Sequence, residues 1–290
     1  MYEILKKVKL AENIYLMDIH APRVAASAHP GQFIILRSTP EGERIPLTIS
    51  DYDIERGSVQ IVVQTLGVST LKLAELEEGQ CVEDFAGPLG RPSDFIYENL
   101  DELKGKKLLF IAGGVGTAPV YPQVKWLKEH GVDADVIIGA KTKGLLILTD
   151  EMRAVAGNLY IATDDGSEGF HGMVTGCLKK LVEEDGKKYD TVITIGPMIM
   201  MKFVSLTTKE LGIPTIASLN SLMVDGTGMC GACRVSVGGK TKFTCVDGPE
   251  FDAHEVDFDE AMRRSGQYRD EEQRRLEKYK DHKCRVGLDK

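Results

Sequence analysis

Apolar positions in the first third of the chain fall in short runs, NIYLMDI, GQFIILR and SVQIVVQTL, parted by Pro, Gly and Asp. Side chains alternate across a strand, so these alternating or β-branched runs predict strands, and their spacing predicts a small antiparallel barrel over residues 1–98. Near residue 100 the period changes. DELKGKKLLFIAGGVGTAPVYPQVKWLKEHG reads as a strand, LLFIA, then a glycine-rich turn and a helix carrying Val124 and Leu127. Alternation continues through ADVIIGA, LLILTDEMRAVAG, NLYIAT, MVTGCLKKLVEED, DTVITIG and PMIMMKFVSLTTKELG. Strands alternating with helices imply a mostly parallel sheet, here over residues 99–218. Residues 219–290 predict a small third module, a cysteine-bearing loop with a polar extension. The expected fold class is β plus α/β: an antiparallel barrel, a parallel-sheet domain and a small C-terminal module.

Parallel sheets bind ligands at the carboxyl ends of their strands. The turns there are Gly113 to Thr117, Gly139 to Lys141, Thr163 to Gly166 and Gly196 to Met198, so all four point toward one crevice. Gly113-Gly114-Val115-Gly116-Thr117 could cradle a dinucleotide pyrophosphate through its amides. It departs from Gly-x-Gly-x-x-Gly, because Ala118 and Pro119 stand where a third glycine is expected. Pro119 suits the first turn of a helix, where its missing N–H costs nothing. Met200 reads as helix core, whereas Met198, at the mouth, could touch a nicotinamide. In the barrel, Arg44 and Thr48 stand four residues apart in a strand-like run and can face one side. Gly67-Val68-Ser69-Thr70 reads as a turn into a short helix whose free amides would suit a pyrophosphate. Each barrel signal is weak alone, since an arginine on a barrel is usually solvated and Gly-x-Ser-Thr is usually just a turn.

Three of the six cysteines fall in one window, Cys230-x2-Cys233-x11-Cys245, and Asp225 precedes Cys230 with four residues between them. Plant-type ferredoxins space their ligands C-x4-C-x2-C with a distant fourth, so the window reads as a two-iron loop with Asp225 in the first ligand position. Gly226, Gly228, Gly231 and Ala232 leave room for backbone to wrap a cluster. A zinc knuckle would need a second ligand pair, and free thiols in a tight turn are the bland alternative. Cys81, Cys177 and Cys284 are scattered and read as ordinary residues.

Composition narrows the classes. A chain of 290 residues with 42% hydrophobic and 28% charged residues has ample core for two domains and an appendage. The net charge of -8 argues against a nucleic-acid partner. The opening MYEILKKVKLAENIYLMDI lacks a long apolar segment, and no run reaches the length of a membrane span, so a cytoplasmic protein without a membrane role is expected. Clustered cysteines fit a metal site in a reducing compartment. The charge clusters DEEQRR and KYKDHK near the end read as solvated helix faces.

Several motifs in one order carry a resemblance. Arg44-x-x-Leu-Thr48, Gly67-Val-Ser-Thr70, Gly87-Pro-Leu-Gly90, Ala112-Gly-Gly-Val-Gly-Thr-Ala-Pro119, Asp164-Asp-Gly166-Ser, Gly196-Pro-Met198 and Cys245-Val-Asp-Gly-Pro-Glu-Phe span essentially the whole chain. With them the chain resembles the ferredoxin–NADP reductase superfamily, in the branch of the dihydroorotate dehydrogenase electron-transfer subunit. Within that branch it is most similar to small subunits of NADH-dependent reduced ferredoxin:NADP oxidoreductase. The resemblance implies FAD in the barrel, NAD(H) in the α/β domain and a 2Fe-2S cluster. It implies that Arg44 meets the flavin phosphate, that Leu47 and Thr48 line the isoalloxazine, and that the amides of Gly67, Val68, Ser69 and Thr70 hold the FAD pyrophosphate. Gly113, Gly114, Val115, Gly116 and Thr117 would hold the NAD pyrophosphate. Asp164, Asp165 and Gly166 would approach its adenosine half, with Gly196 and Met198 at the nicotinamide end. Asp225, Cys230, Cys233 and Cys245 would ligate iron, Asp225 standing where the dihydroorotate dehydrogenase subunit has cysteine. Lys141 could tolerate a 2'-phosphate, so NAD is expected from the family and not from that loop. The implied partner is a larger flavoprotein subunit with FAD and 4Fe-4S clusters, forming a heterodimer. Through it, NADPH, NAD and ferredoxin would be linked by flavin-based electron bifurcation. Hydride transfer at the flavin, near Thr48, asks for no separate catalytic acid or base. The alternatives are the electron-transfer subunit of NAD-dependent dihydroorotate dehydrogenase and a non-catalytic flavin and iron–sulfur redox sensor.

Overall fold

A computed structural model describes residues 2–288, with side chains through Asp281, so the side chain of Cys284 and the end of KYKDHK lie outside the described residues. Seven strands build the first unit: β1 (Tyr2–Ala11), β2 (Ile14–His20), β3 (Phe33–Arg37), β4 (Ile45–Asp53), β5 (Ser58–Gln64), β6 (Cys81–Val82) and β7 (Asp84–Leu89). They pair antiparallel in the order β6-β1-β2-β5-β4-β3-β7. The edge strands β6 and β7 follow each other across Glu83, whose amide donates to the Arg37 carbonyl at 2.9 Å, so the chain itself nearly closes the barrel. Ile4, Met17, Ile19, Ile34, Leu36, Ile49 and Ile61 fill its interior, as the alternating pattern requires. Leu73, from the helix Val68–Glu75, joins that core.

The second sheet is built from β8 (Leu108–Gly113), β9 (Ala134–Ala140), β10 (Leu159–Thr163), β11 (Phe170–His171), β12 (Thr191–Ile195) and β13 (Thr215–Ser218). After β14 (Arg234–Val237) and β15 (Lys240–Phe243) form a separate hairpin, β16 (Glu250–Asp252) returns to it. The order is β11-β10-β9-β8-β12-β13-β16, parallel except for the antiparallel β13–β16 pair. Every residue of β8 is buried, as expected for a central parallel strand covered on both faces. The chain proceeds from β8 to β9 on one side and later returns to β12 on the other. The switch point, where a crevice must open, therefore lies beyond the carboxyl ends of β8 and β12.

Apolar packing and an ion pair between β4 and the helix Thr117–Glu129 help fasten the two units. Ile14, Leu16 and Val62 on the outside of the barrel pack against Ala118, Ile147 and Leu148. Lys125, on the helix Thr117–Glu129, donates to both carboxylate oxygens of Asp51 on β4, at 2.8 and 2.9 Å. In the terminal helix Arg269–Leu288, the side chains through Asp281 are largely exposed, in keeping with a solvated charged face. It also touches the barrel, where Arg275 pairs with Glu43 and the Tyr279 hydroxyl reaches Glu75 at 2.7 Å. No helix among the described residues is long and apolar enough to cross a membrane.

Candidate functional site

A cleft of about 1100 Å³ runs between the barrel and the carboxyl ends of the parallel strands. Phe33, Leu47 and Thr48 line its barrel wall, and Gly113, Gly114, Val115, Gly116, Lys141, Asp164 and Gly196 line the opposite one. The glycines are there for space. A Cβ on Gly116 would lie 2.2 Å from the Ile195 carbonyl oxygen, and one on Gly113 would lie 2.3 Å from Met200 Sδ. Thr117 is fully buried and donates its hydroxyl to the Gly114 carbonyl at 2.9 Å, so it shapes the turn from behind.

Other predicted residues stand around the cleft rather than in its wall. Arg44 is exposed just ahead of β4. Gly67 caps the helix Val68–Glu75, and the Thr70 hydroxyl accepts from the amides of Leu66 and Gly67 at 3.0 and 3.1 Å. The amides of Val68, Ser69 and Thr70 have no intrahelical acceptor, as at any helix start, which leaves a positive end suited to an anion. Ser69 also donates its hydroxyl to Glu43 at 3.0 Å. Asp165 is exposed and accepts from the Ser167 hydroxyl and amide, which hold its carboxyl below the usual range. Gly166, at φ +73, follows with His171 against it, a conformation that favours glycine.

The helix Met198–Glu210 differs from expectation in its rotation. Met198 is buried with Met201, Leu219 and Phe251, whereas Ile199, Met200 and Phe203 line the cleft. Asn220, Ser221 and Met223, beyond the carboxyl end of β13, also line it and lie outside the four predicted turns. The strand-end rule, extended to TIAS, points to them.

The loop after β13 carries the thiols. Gly226, Gly228 and Gly231 take φ of +76, +85 and +68, and a Cβ on Gly226 would lie 2.6 Å from Ile35 Cδ1, so the loop sits directly on the barrel. Its donors form two pairs. Cys233 Sγ and Cys245 Sγ are 3.2 Å apart and buried, and Cys230 Sγ lies 3.3 Å from Asp225 Oδ1 near the surface. Among the described residues no three His, Cys, Asp or Glu side chains gather around a single metal position. Two pairs suit a binuclear centre, in which each iron takes two protein ligands beside its bridging sulfides. Burial, then the neighbouring Cys233 sulfur, pushes the Cys245 thiol up to about 12. Partial desolvation raises the Asp225 carboxyl, but hydrogen bonds from Cys230 and Thr227 outweigh it and hold the group below its ordinary range. Cys233 and Cys245 share one apolar cluster with Phe33, Ile35 and Met223. Phe33 and Met223 also line the cleft, so a continuous packed layer joins cleft and thiols.

Residues 220–257 match the iron–sulfur cluster binding domain of dihydroorotate dehydrogenase B. The dihydroorotate dehydrogenase B (NAD(+)) electron transfer subunit homolog of Thermotoga maritima is 46% identical over 277 residues, 96% of this chain and 95% of that protein. A chain of the NADH-dependent reduced ferredoxin-NADP oxidoreductase structure, solved in a study of flavin-based electron bifurcation, superposes with a TM-score of 0.87 at 45% identity. The match covers 96% of this chain and 98% of that one. The cytochrome b5 reductase domain of Ulva prolifera nitrate reductase shares the fold, with a TM-score of 0.58 at 19% identity over 73% of this chain and 92% of that one. The cofactor set expected from sequence, FAD, NAD(H) and an iron–sulfur cluster, agrees with these findings. The chain belongs to the family of dihydroorotate dehydrogenase B electron-transfer subunits and their homologues, oxidoreductase subunits built on the ferredoxin-reductase fold.

Proposed function

We propose that this chain carries electrons between NAD(H), FAD and a 2Fe-2S cluster, and to or from a larger flavoprotein subunit with FAD and 4Fe-4S clusters. The packed layer from Phe33 and Met223 to Cys233 and Cys245 carries this reading, because it joins the cleft to the thiols through one cluster of buried side chains. FAD supplies the exchange between a two-electron hydride and single electrons. The chain supplies position and exclusion of water.

Arg44 and the amides of Gly67 to Thr70 hold the FAD phosphates, and Leu47 and Thr48 line the flavin ring. Gly113, Gly114, Val115 and Gly116 hold the NAD pyrophosphate, shaped by buried Thr117. Asp164, Asp165 and Gly166 receive the adenosine half. Gly196 stands at the nicotinamide end, where Ile199 and Met200, rather than Met198, face the cleft. Asp225 and Cys230 would bind one iron, and Cys233 and Cys245 the other. The first pair is the outward one, with Cys230 exposed and its neighbour Met229 88% exposed, which suits handing electrons to a partner. The functional modules are 1–98 for FAD, 99–218 for NAD(H) and 219–290 for the cluster and extension, with β16 lent to the second sheet.

The partner reading follows the likeness to the NADH-dependent reduced ferredoxin-NADP oxidoreductase chain and the carboxylate at position 225. It implies bifurcation that links NADPH, NAD and ferredoxin, with ferredoxin meeting the partner. A second reading, the electron-transfer subunit of NAD-dependent dihydroorotate dehydrogenase, rests on the match over residues 220–257. Anaerobic copurification separates the two. A partner containing FAD and 4Fe-4S clusters is expected, and a partner with only FMN and dihydroorotate activity would replace the first reading by the second.

A further inference from the structure

Arg264 brings a positive charge to the thiol loop with no carboxylate to meet it. It lies in the last turn of the helix Phe258–Ser265, whose Phe258 and Ala261 pack with Val235 of β14 in one apolar cluster. Backbone ties the helix to that strand as well: the Asp257 amide donates to the Ser236 carbonyl and the Gly238 amide to the Glu255 carbonyl, both at 2.9 Å. β14 begins directly after Cys233, so helix and loop share one frame. Glu260, four residues earlier, is the ordinary ion-pair partner for an arginine on a helix. Among the described residues, however, no carboxylate oxygen lies within 4.0 Å of the Arg264 guanidinium.

The guanidinium reaches across to the loop instead. Nη2 donates to the Ala232 carbonyl at 3.1 Å, and Nε is buried with no hydrogen-bond partner among the described residues. Ala232 stands between Cys230 and Cys233, and Arg234 Nη1 donates to the carbonyl of its neighbour Gly231 at 3.3 Å. Arginines thus hold both residues between the two cysteines. A partly buried charge without a counter-charge is costly, and so is a buried donor without an acceptor. The Ala232 carbonyl is neutral and supplies no counter-charge. The ligand set flanking Ala232 supplies one once it holds two irons and their sulfides, because four anionic ligands leave such a centre net negative.

We propose that Arg264 is a positioning residue that fixes the turn between Cys230 and Cys233 and, as the counter-charge of the cluster, raises its midpoint potential. This rests on the two-iron reading of the loop given above. Reduction adds an electron to a centre that is already negative, so a cation held beside it favours the reduced state.

The test is a potentiometric EPR titration of the cofactor-loaded full chain and three variants, with iron per chain measured alongside. Arg264→Gln keeps a donor for the Ala232 carbonyl and removes the charge. Its reduced-to-oxidised ratio at a fixed potential is expected to fall about tenfold, a midpoint about 59 mV lower for a one-electron couple. Arg264→Lys keeps the charge and should stay near the wild-type midpoint. Arg263→Gln removes the same charge from the exposed neighbouring position, where solvent screens it, and should move the midpoint far less. Iron kept by the lysine variant and lost by the glutamine variant would also support the role of the charge. An unmoved midpoint in Arg264→Gln, an equal shift in Arg264→Lys or in Arg263→Gln, or iron lost from both Arg264 variants would overturn the proposal. No two-iron signal in the wild type would overturn the reading of the loop itself, and the proposal with it.

Discussion

Asp225→Ala is expected to lower iron retention under chelator challenge by at least about tenfold, whereas Asp225→Cys keeps the iron and shifts the midpoint potential of the cluster. In the folded chain the carboxylate already lies where a ligand is needed, 3.3 Å from Cys230 Sγ. It also orders the loop by accepting from the amides of Thr227 and Cys230, each at 3.2 Å. On the proposed ligand set, alanine removes both the ligand and the loop restraint. Cysteine restores a softer anionic ligand, and ligand identity is one of the terms that set a cluster's potential. Iron per chain and a potentiometric EPR titration check both outcomes. Unchanged iron content and potential in both variants would mean that Asp225 is not a ligand.

Gly116→Ala should weaken NADH binding by at least about tenfold while leaving FAD content near normal. The backbone angle at Gly116, φ −62, suits alanine, so the obstacle is space alone. The added methyl would meet the Ile195 carbonyl oxygen at 2.2 Å and its carbon at 2.7 Å, and backbone on a central strand cannot swing aside as a side chain would. Overpacking of this kind costs about 1–3 kcal/mol, and moving the turn off β12 misdirects the amides that face the cleft. Calorimetry should show NADH affinity down by at least about tenfold, since each 1.4 kcal/mol is a factor of ten. Gly105→Ala is the control for general fragility, because a Cβ there meets nothing within 4 Å. NADH affinity unchanged in Gly116→Ala would remove the turn from the nucleotide site.

Much of this was legible because the periods are strong. Two-residue alternation marked β2, β3 and β5, and the switch to strand, glycine turn and helix at residue 100 marked β8 and the cleft wall. Rotation about a helix axis was harder to read. Met198 follows Pro197 at the helix start and was expected at the mouth, yet packing against Leu219 and Phe251 draws it inward and leaves Ile199 and Met200 outward. That choice depends on β13 and β16, which local periodicity does not contain. β16 itself is three residues long and pairs antiparallel on an otherwise parallel sheet, a contact made only after the cluster loop has folded back. The same holds for Glu250, whose contacts with Ser93 and Ser218 come from separate segments and leave no pattern near residue 250. The cysteine loop was readable in spacing alone. Its seat on Ile35 and Phe33, which ties it to the cleft, depends on tertiary packing.

The most direct measurement is an anaerobic NADH titration of the reconstituted full chain, followed by flavin absorbance and low-temperature EPR. Bleaching of the flavin accompanied by a two-iron signal is the predicted result. Absence of bleaching, or bleaching without any two-iron signal, would contradict transfer from NAD(H) through FAD to the Asp225, Cys230, Cys233 and Cys245 site.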